Sequence, residues 1–401
     1  MGIKPGEPIT WSYSRIDTFE RCPRRGYEIY VNDKRSPETE ATLLGGIVHA
    51  ALLGERDEAT GEVTVPGYLT RLAQGDQPSP SVLNELVNTH FEQAEAEHPD
   101  LVEPWSVGVG INLGKAALKR LPPNPHTWAM EQEVRAKLPG GDVLRGFLDL
   151  TYEDEDGAYV VRDYKSNRAI YKSDDKHQQL GLYAALLSAN GRQPARVELH
   201  FLRLEEVVSA PVTREMMDNA RAWVLAVTAD VKKRLPEGIA AFEPKPNHLC
   251  QYCHVADRCP AALAAFERAN QDEMRPIESE TEARNDALDI AMLEGMIGTL
   301  EERLKEYVKA RGPVAVDDRV WGFIPTEYKN WRLKGLDDAL RQHKLELADV
   351  VKVDNKKVEA HMGANPALAE ALRKFYSVKK STRFGSRAAE SEGEAATAEV
   401  A

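Results

Sequence analysis

Gly146-Phe-Leu-Asp149 and Val160-Val-Arg-Asp163-Tyr-Lys165 are the two stretches on which the fold turns. Both lie where the hydrophobic pattern has a strand period. Residues 128–138, 143–152 and 157–164 read as three strands, with turns supplied by Gly140-Gly141 and by Asp154-Glu-Asp-Gly157. Residues two apart on a strand share a face, so Asp163 and Lys165 project together. If the second and third strands form a hairpin, Asp149 lies beside Asp163. Two carboxylates and an ammonium then converge at one end of a sheet. Phosphodiester cleavage needs such a set. Carboxylates hold Mg2+ or Mn2+, the ion activates a water and clamps phosphate oxygens, and a lysine stabilises developing charge. Taken alone, Asp163 and Lys165 equally describe a surface salt bridge.

Working outward, Ser14-Arg-Ile-Asp17 reads as the N-cap and acidic N3 position of a first helix, with apolar positions at Ile16, Phe19, Tyr27 and Tyr30. A second apolar helix runs through Leu44, Val48 and Leu52 and carries His49, which as an isolated histidine reads as a core residue. Residues 54–80 are rich in Gly, Pro and charge and read as a loop or insertion. Helices follow near 81–98 and 111–120. Beyond the three strands come a helix at 174–187, a strand at 197–203 and a long helix at 213–235. Residues 271–285 read as a linker. Residues 286–387 read as a C-terminal extension with a long helix at 290–309 and a hairpin at 314–324 turning on Asp317-Asp318. Residues 388–401 read as a disordered tail. Tyr328, Lys329, Trp331 and Arg332 read as ordinary packing or as a stacking group for single-stranded DNA.

The chain has 401 residues, 42% hydrophobic and 29% charged, with a formal net charge of −12. That balance argues against a general nucleic-acid coat and leaves room for a local basic groove. No run of about 18 apolar residues suggests a membrane span. Residues 1–10 have no apolar signal core, so a cytoplasmic location is expected. The segment Gly108-Val-Gly-Ile-Asn-Leu-Gly114-Lys115-Ala116 fails as a phosphate loop, since Val109 and Ala116 occupy positions that need Gly and Ser or Thr.

The four cysteines are too few for a disulfide scaffold. Cys250, Cys253 and Cys259 crowd into ten residues at metal-ligand spacing, and Cys22 stands alone far upstream. Four thiolates suit Zn2+ or an iron–sulfur cluster, and His248 and His254 nearby keep zinc open.

In this order, the features resemble the RecB-like branch of the PD-(D/E)XK nucleases, which includes AddAB-type nuclease domains and CRISPR-associated RecB-like exonucleases. That pattern runs histidine on an early helix, glutamate, Gly-x-x-Asp, Asp-Tyr-Lys and Gln-x-x-x-Tyr. Here these are His49, Glu133, Gly146 to Asp149, Asp163-Tyr164-Lys165, and Gln179 to Tyr183, with Glu131 the alternative to Glu133 on the same strand face. The segment from Ser12 to Pro23 resembles the branch's first motif.

The resemblance implies an α/β fold with a restriction-endonuclease-like core, a mixed sheet flanked by helices. A helical N-terminal part and a C-terminal α+β extension accompany it. It implies that residues 1–270 form one nuclease domain closed by the cysteines. It implies metal binding by His49, Asp149, Asp163 and the Tyr164 carbonyl, catalysis by Lys165 with Glu133, and DNA contact or bracing by Gln179 and Tyr183. It tilts the cysteines toward a 4Fe–4S cluster over Zn2+. Arg24 and Arg25, with Lys172 and Lys176, are the candidate phosphate contacts. The activity implied is metal-dependent exonuclease action on single-stranded or free DNA ends in recombination, repair or replication, as suits a phage or a bacterial locus. A separate helicase or recombination protein is a candidate partner. The alternatives are a nuclease working within a larger complex and a non-catalytic iron–sulfur subunit.

Overall fold

A short strand, β1 (Thr10–Trp11), leads into helix α1 (Tyr13–Arg21). Ser12, still extended, is the N-cap, and its Oγ accepts from the Arg15 amide at 3.3 Å. The helix therefore starts before Ser14, and Asp17, expected to close the cap, instead accepts from Arg21 at 2.8 Å. In the computed structural model the described residues are 2–56, 63–99, 101–102, 106–167, 174–270, 277–317, 319–331, 339–340, 342–343, 358, 362 and 365–388. The chain divides into two compact units.

The first unit comprises Met1–Glu97 and Ser106–Arg303. After α1 come α2 (Pro23–Tyr30) and α3 (Glu40–Leu53). Residues 54–80, expected as a loop, contain a small hairpin of β2 (Gly54–Arg56) and β3 (Val63–Pro66) and then α4 (Tyr68–Ala73). Helices α5 (Pro80–Glu97) and α6 (Ser106–Leu118) pack closely. Their closeness explains two glycines of the false phosphate loop, Gly110 and Gly114. A Cβ on Gly110 would meet the Phe91 ring at 2.7 Å, and one on Gly114 would meet Leu83 at 3.1 Å.

The sheet is built from β1, β4 (Ala129–Lys137), β5 (Val143–Glu153), β6 (Tyr159–Lys165), β7 (Arg196–Phe201) and β8 (Glu206–Pro211). It is mixed: β1 runs parallel to β5 and β6 parallel to β7, while β4–β5, β5–β6 and β7–β8 are antiparallel. The fold is the α/β core expected, with helices against the sheet. Helix α7 (Asp174–Ala189) lies between β6 and β7 in sequence, and α8 (Arg214–Arg234) follows β8. Trp11, Ile16, Phe19, Leu148, Val161, Leu187, Phe201 and Phe242 are buried together in the main core. Their removal from water is the chief stabilising term.

The pairing of β5 creates the feature that matters for function. One edge pairs with β4 along its length. The other pairs with β1 only at residues 143–144 and with β6 only at residues 150–153. Residues 145–149 sit in the fork between those two partners, and Asp149 stands where β5 and β6 separate.

After α8, residues 235–259 form short 3-10 turns, and α9 (Pro260–Ala269) follows. Helix α10 (Glu280–Arg311) begins inside the stretch expected as a linker. The second unit comprises His98–Trp105 and Leu304–Ala401. Its described part contains an antiparallel sheet of β9 (Val314–Val316), β10 (Arg319–Trp331) and β11 (Tyr376–Ala388), plus helix α11 (Pro366–Leu372). The turn at Asp317, with φ +52°, lies where the hairpin was expected. Tyr328, Lys329 and Trp331 fall on β10, while Arg332 and residues 389–401 lie outside the described residues. Among the described residues no helix is long and apolar enough to cross a membrane.

Candidate metal centre

Asp163 and Lys165 alternate along β6 with Arg162 and Tyr164, whose side chains point the other way. Arg162 is locked there by a 2.7 Å ion pair with buried Glu198, which also accepts from the Tyr152 hydroxyl at 2.9 Å. The Tyr164 ring is buried against His200, with ring centroids 5.4 Å apart. These contacts fix the register of β6, and so Asp163 and Lys165 share the α7 face. Lys165 Nζ lies 2.5 Å from Asp163 Oδ2.

Helix α7 braces this pair. Gln179 Nε2 donates to Asp163 Oδ1 at 3.3 Å and to the Tyr183 hydroxyl at 3.0 Å, and Gln179 Oε1 accepts from Lys165 at 3.4 Å. Both Gln179 and Tyr183 are buried. Burial also holds the Tyr183 phenol well above its ordinary pKa. Gly146 lets α7 approach, since a Cβ there would meet Leu186 at 2.9 Å and the Tyr183 ring at 3.4 Å.

At the fork, Asp149 Oδ2 accepts from the Tyr164 amide at 2.8 Å. His49, carried in by α3, places Nε2 3.2 Å from the Tyr164 carbonyl oxygen and 3.8 Å from Asp149 Oδ2. The third member is Glu131. Ligand atoms of His49, Glu131 and Asp149 all lie within 4.8 Å of one another. Glu131 has φ +48°, the left-handed region, at the one position where the β4–β5 ladder lapses between Met130↔Leu150 and Gln132↔Leu148. A non-glycine residue held there inside a strand is costly, and such residues cluster at functional sites.

Glu133, expected in this group, is not brought to it. Its carboxylate lies on the exposed face with Arg135 at 2.8 Å and Arg145 at 3.7 Å. The strand period pairs Glu131 with Glu133 on one face. The twist at Glu131 and the distance along β4 separate them in space.

The electrostatics favour a cation. Burial, the Asp163 charge and Glu131 raise Asp149 to about 7, against the lowering effect of His49 and the Tyr164 amide. Burial alone would lower His49, but Asp149, Asp163 and Glu131 more than offset it and raise its pKa. Carboxylate oxygens, a backbone carbonyl and an imidazole suit a hard divalent ion such as Mg2+ or Mn2+.

The four cysteines line a second cavity, of about 470 Å³, together with Arg21, Arg24, Arg25, Lys245 and His248. Cys22 is the N-cap of α2 and Cys259 the N-cap of α9, each followed by proline. The Lys245 amide approaches Cys22 Sγ at 3.5 Å, and the Asn247 amide approaches Cys250 Sγ at 3.4 Å. Asn247 also donates to the Arg21 carbonyl at 3.1 Å, tying the two ends of the unit together. Helix α10 closes on this segment at Gly295, where a Cβ would meet the Cys250 carbonyl at 2.2 Å. No three of these sulfurs lie within 4.8 Å of one another. Burial pushes the Cys253 thiol up to about 11 and raises Cys250 as well.

Arg24 and Arg25, expected as phosphate contacts, face this cavity and are not brought to the carboxylates. Arg24 lies 3.6 Å from Glu28. Lys172 and the side chain of Lys176 lie outside the described residues.

No curated protein matches the chain. Among solved structures it is similar to a candidate exonuclease from Eubacterium rectale, at 13% identity and a TM-score of 0.39, over 67% of this chain and 91% of that one. It is also similar to SSO0001, at 18% identity and a TM-score of 0.27, over 56% and 97%. Likenesses this distant carry no argument. The family comparison does. A model of the PD-(D/E)XK nuclease superfamily matches residues 10–260, from β1 to the Cys-Pro step that opens α9. The match spans more than half of the chain and includes the strands that gather Asp149, Asp163 and Lys165; the chain belongs to the PD-(D/E)XK nuclease superfamily.

Proposed function

We propose that this chain is a divalent-metal-dependent DNA exonuclease of the RecB-like branch, acting on single-stranded ends in recombination, repair or replication. One observation carries the reading: His49, Glu131 and Asp149 converge at the β5–β6 fork beside a braced Asp163–Lys165 pair. In it, His49, Glu131, Asp149, Asp163 and the Tyr164 carbonyl would hold the ion. When bound, Mg2+ or Mn2+ supplies a lowered pKa for the attacking water and a clamp on phosphate oxygens. Lys165, positioned by Asp163 and Gln179, would offset charge developing on the phosphate. Gln179 and Tyr183 act as braces, consistent with their burial.

The cysteine cavity is read as the site of a 4Fe–4S cluster that clasps α2 to the segment before α9. Cys22, Cys250, Cys253 and Cys259 line one cavity, which supports a single four-thiolate site of the kind that holds a cubane or Zn2+. A non-catalytic subunit is the weaker reading, because the carboxylates and the lysine are assembled and braced.

The test is incubation of the anaerobically purified chain with Mn2+ and single-stranded DNA, either linear and end-labelled or circular and internally labelled. Degradation of the linear strand with the circle spared is expected. Equal cleavage of both would make the enzyme an endonuclease, and cleavage of neither would refute the reading.

A further inference from the structure

The open face of β4 and β5 carries a stripe of side chains that the metal centre does not use. Buried and open positions alternate along β5, and Val143, Arg145, Phe147 and Asp149 occupy the open side. Their cross-strand partners on β4 are, in turn, Lys137, Arg135 and Glu133, and where the ladder lapses Glu131 brings a ligand atom within 4.8 Å of one on Asp149. Two arginines, Arg135 and Arg145, stand directly opposite each other, an arrangement that is destabilising by itself. They share a single carboxylate, Glu133. Arg15 lies near enough for the Arg145 charge to act on it, which adds to the positive field. Phe147 is 42% exposed, and the Arg145 guanidinium covers one side of its ring at 4.9 Å.

We infer that this stripe is the path by which a single strand of DNA reaches the metal centre, with Phe147 stacking an unpaired base and Arg145 and Arg135 holding the backbone beyond it. The inference rests on the nuclease reading above. Its support is position and charge. A step of two residues along a strand is about 6.8 Å, roughly the stride of one extended nucleotide. Phe147 is one such step from Asp149, and the arginine pair is two. The stripe therefore presents, in order from the centre, metal ligands, an aromatic face and a cationic pair. That order matches a phosphate at the reaction site, a stacked base and the next phosphates. Aromatic stacking needs a base freed from its partner, which selects a single strand over a duplex. Outward of the metal ligands Asp149 and Glu131, Glu133 is the one anion among the side chains named, and it is held by both arginines, so with Lys137 the outer part of the stripe presents net positive charge to a backbone.

The test uses the full chain with its native metals at the cysteines and Ca2+ in place of Mg2+ or Mn2+, so that binding is read without cleavage. Anisotropy of a labelled single strand and of a blunt duplex is followed as salt is varied, for wild type, Phe147→Ala, Phe147→Trp and Arg145→Gln. Phe147→Ala should weaken single-strand binding roughly 10-fold, leave the salt dependence unchanged and barely alter duplex binding. Phe147→Trp should restore affinity. Arg145→Gln should flatten the log–log salt slope by about 0.7, one phosphate of a single strand. Melting temperatures of the Phe147 variants should match wild type, since the ring is exposed. Wild-type single-strand affinity in Phe147→Ala, or an equal loss for strand and duplex, would overturn the inference. Absence of Mn2+-dependent cleavage by the wild type would refute the nuclease reading instead, and the two failures are separately visible.

Discussion

At the residue scale the account depends on which glutamate serves the metal centre. Glu131 stands within ligand distance of His49 and Asp149, while Glu133 is engaged by two arginines. Glu131→Gln should reduce cleavage about 10²-fold, the usual cost of losing one group that stabilises the transition state. Glu133→Gln should cost far less, and equal losses measured in both variants would contradict the assignment. The sequence could not separate them. Strand periodicity puts residues 131 and 133 on one face, and only the left-handed backbone at Glu131, invisible in residue types, distinguishes their surroundings. Asp149, Asp163 and Lys165 were legible because a hairpin of two neighbouring strands is enough to bring them together, whereas His49, which alone reads as a core residue, was found only through the family resemblance. A pH dependence follows from the same residues. The folded pKa of Asp149, about 7, lies above its ordinary 3.8, so without metal this group stabilises the fold most at low pH. That contribution declines as pH rises through 7. His49, also raised, acts in the same sense. A divalent ion displaces those protons, so Mn2+ affinity should increase from about pH 6 to about pH 8, with proton release seen by calorimetry in buffers of different ionisation heat. Asp149→Asn should flatten the increase; a flat profile in the wild type would contradict it.

At the element scale β6 holds the centre in place, and its reverse face does so with buried polar groups. His200, fully buried on β7 beside Tyr164, is pushed down to about 4, chiefly by burial and then by the Arg162 charge. Unfolded, it would titrate near 6.5. The depressed value means the folded chain refuses a proton that the unfolded chain accepts. Stability present above pH 6.5 is thus lost progressively toward about pH 4, on the order of 3 kcal/mol. Thermal unfolding across that range should show a shallower acid decline in His200→Leu than in wild type. Parallel acid limbs would mean that His200 is not the group responsible. The β-strands of the core were readable from alternation and turn residues. Strand β8 was not, because it is an edge strand with mostly exposed side chains and little apolar pattern. Residues 54–80 read as loop because the strands β2 and β3 have only three and four residues, too brief for a period to emerge.

At the scale of the whole molecule, the first unit is closed by joining its two ends. Cys22 near the start and Cys250, Cys253 and Cys259 near the end line one cavity, with the strands of the metal centre lying between them in sequence. On the proposed cluster, Cys22→Ala should lose iron, melt at lower temperature and cleave DNA less, all together, because metal ligation there would supply folding energy. Iron retained at about four per chain in that variant would remove Cys22 from the ligand set. The C-terminal unit was the least legible part, since its described helix and sheet carry no chemical motif. The central claim concerns the first unit alone. It is tested most directly by the rate of Mn2+-dependent degradation of an end-labelled linear single strand by Lys165→Met and Asp163→Asn beside the wild type. The account predicts rapid loss of label with the wild type and rates at least about 10²-fold lower in both variants at unchanged folding; wild-type rates in both variants would contradict it.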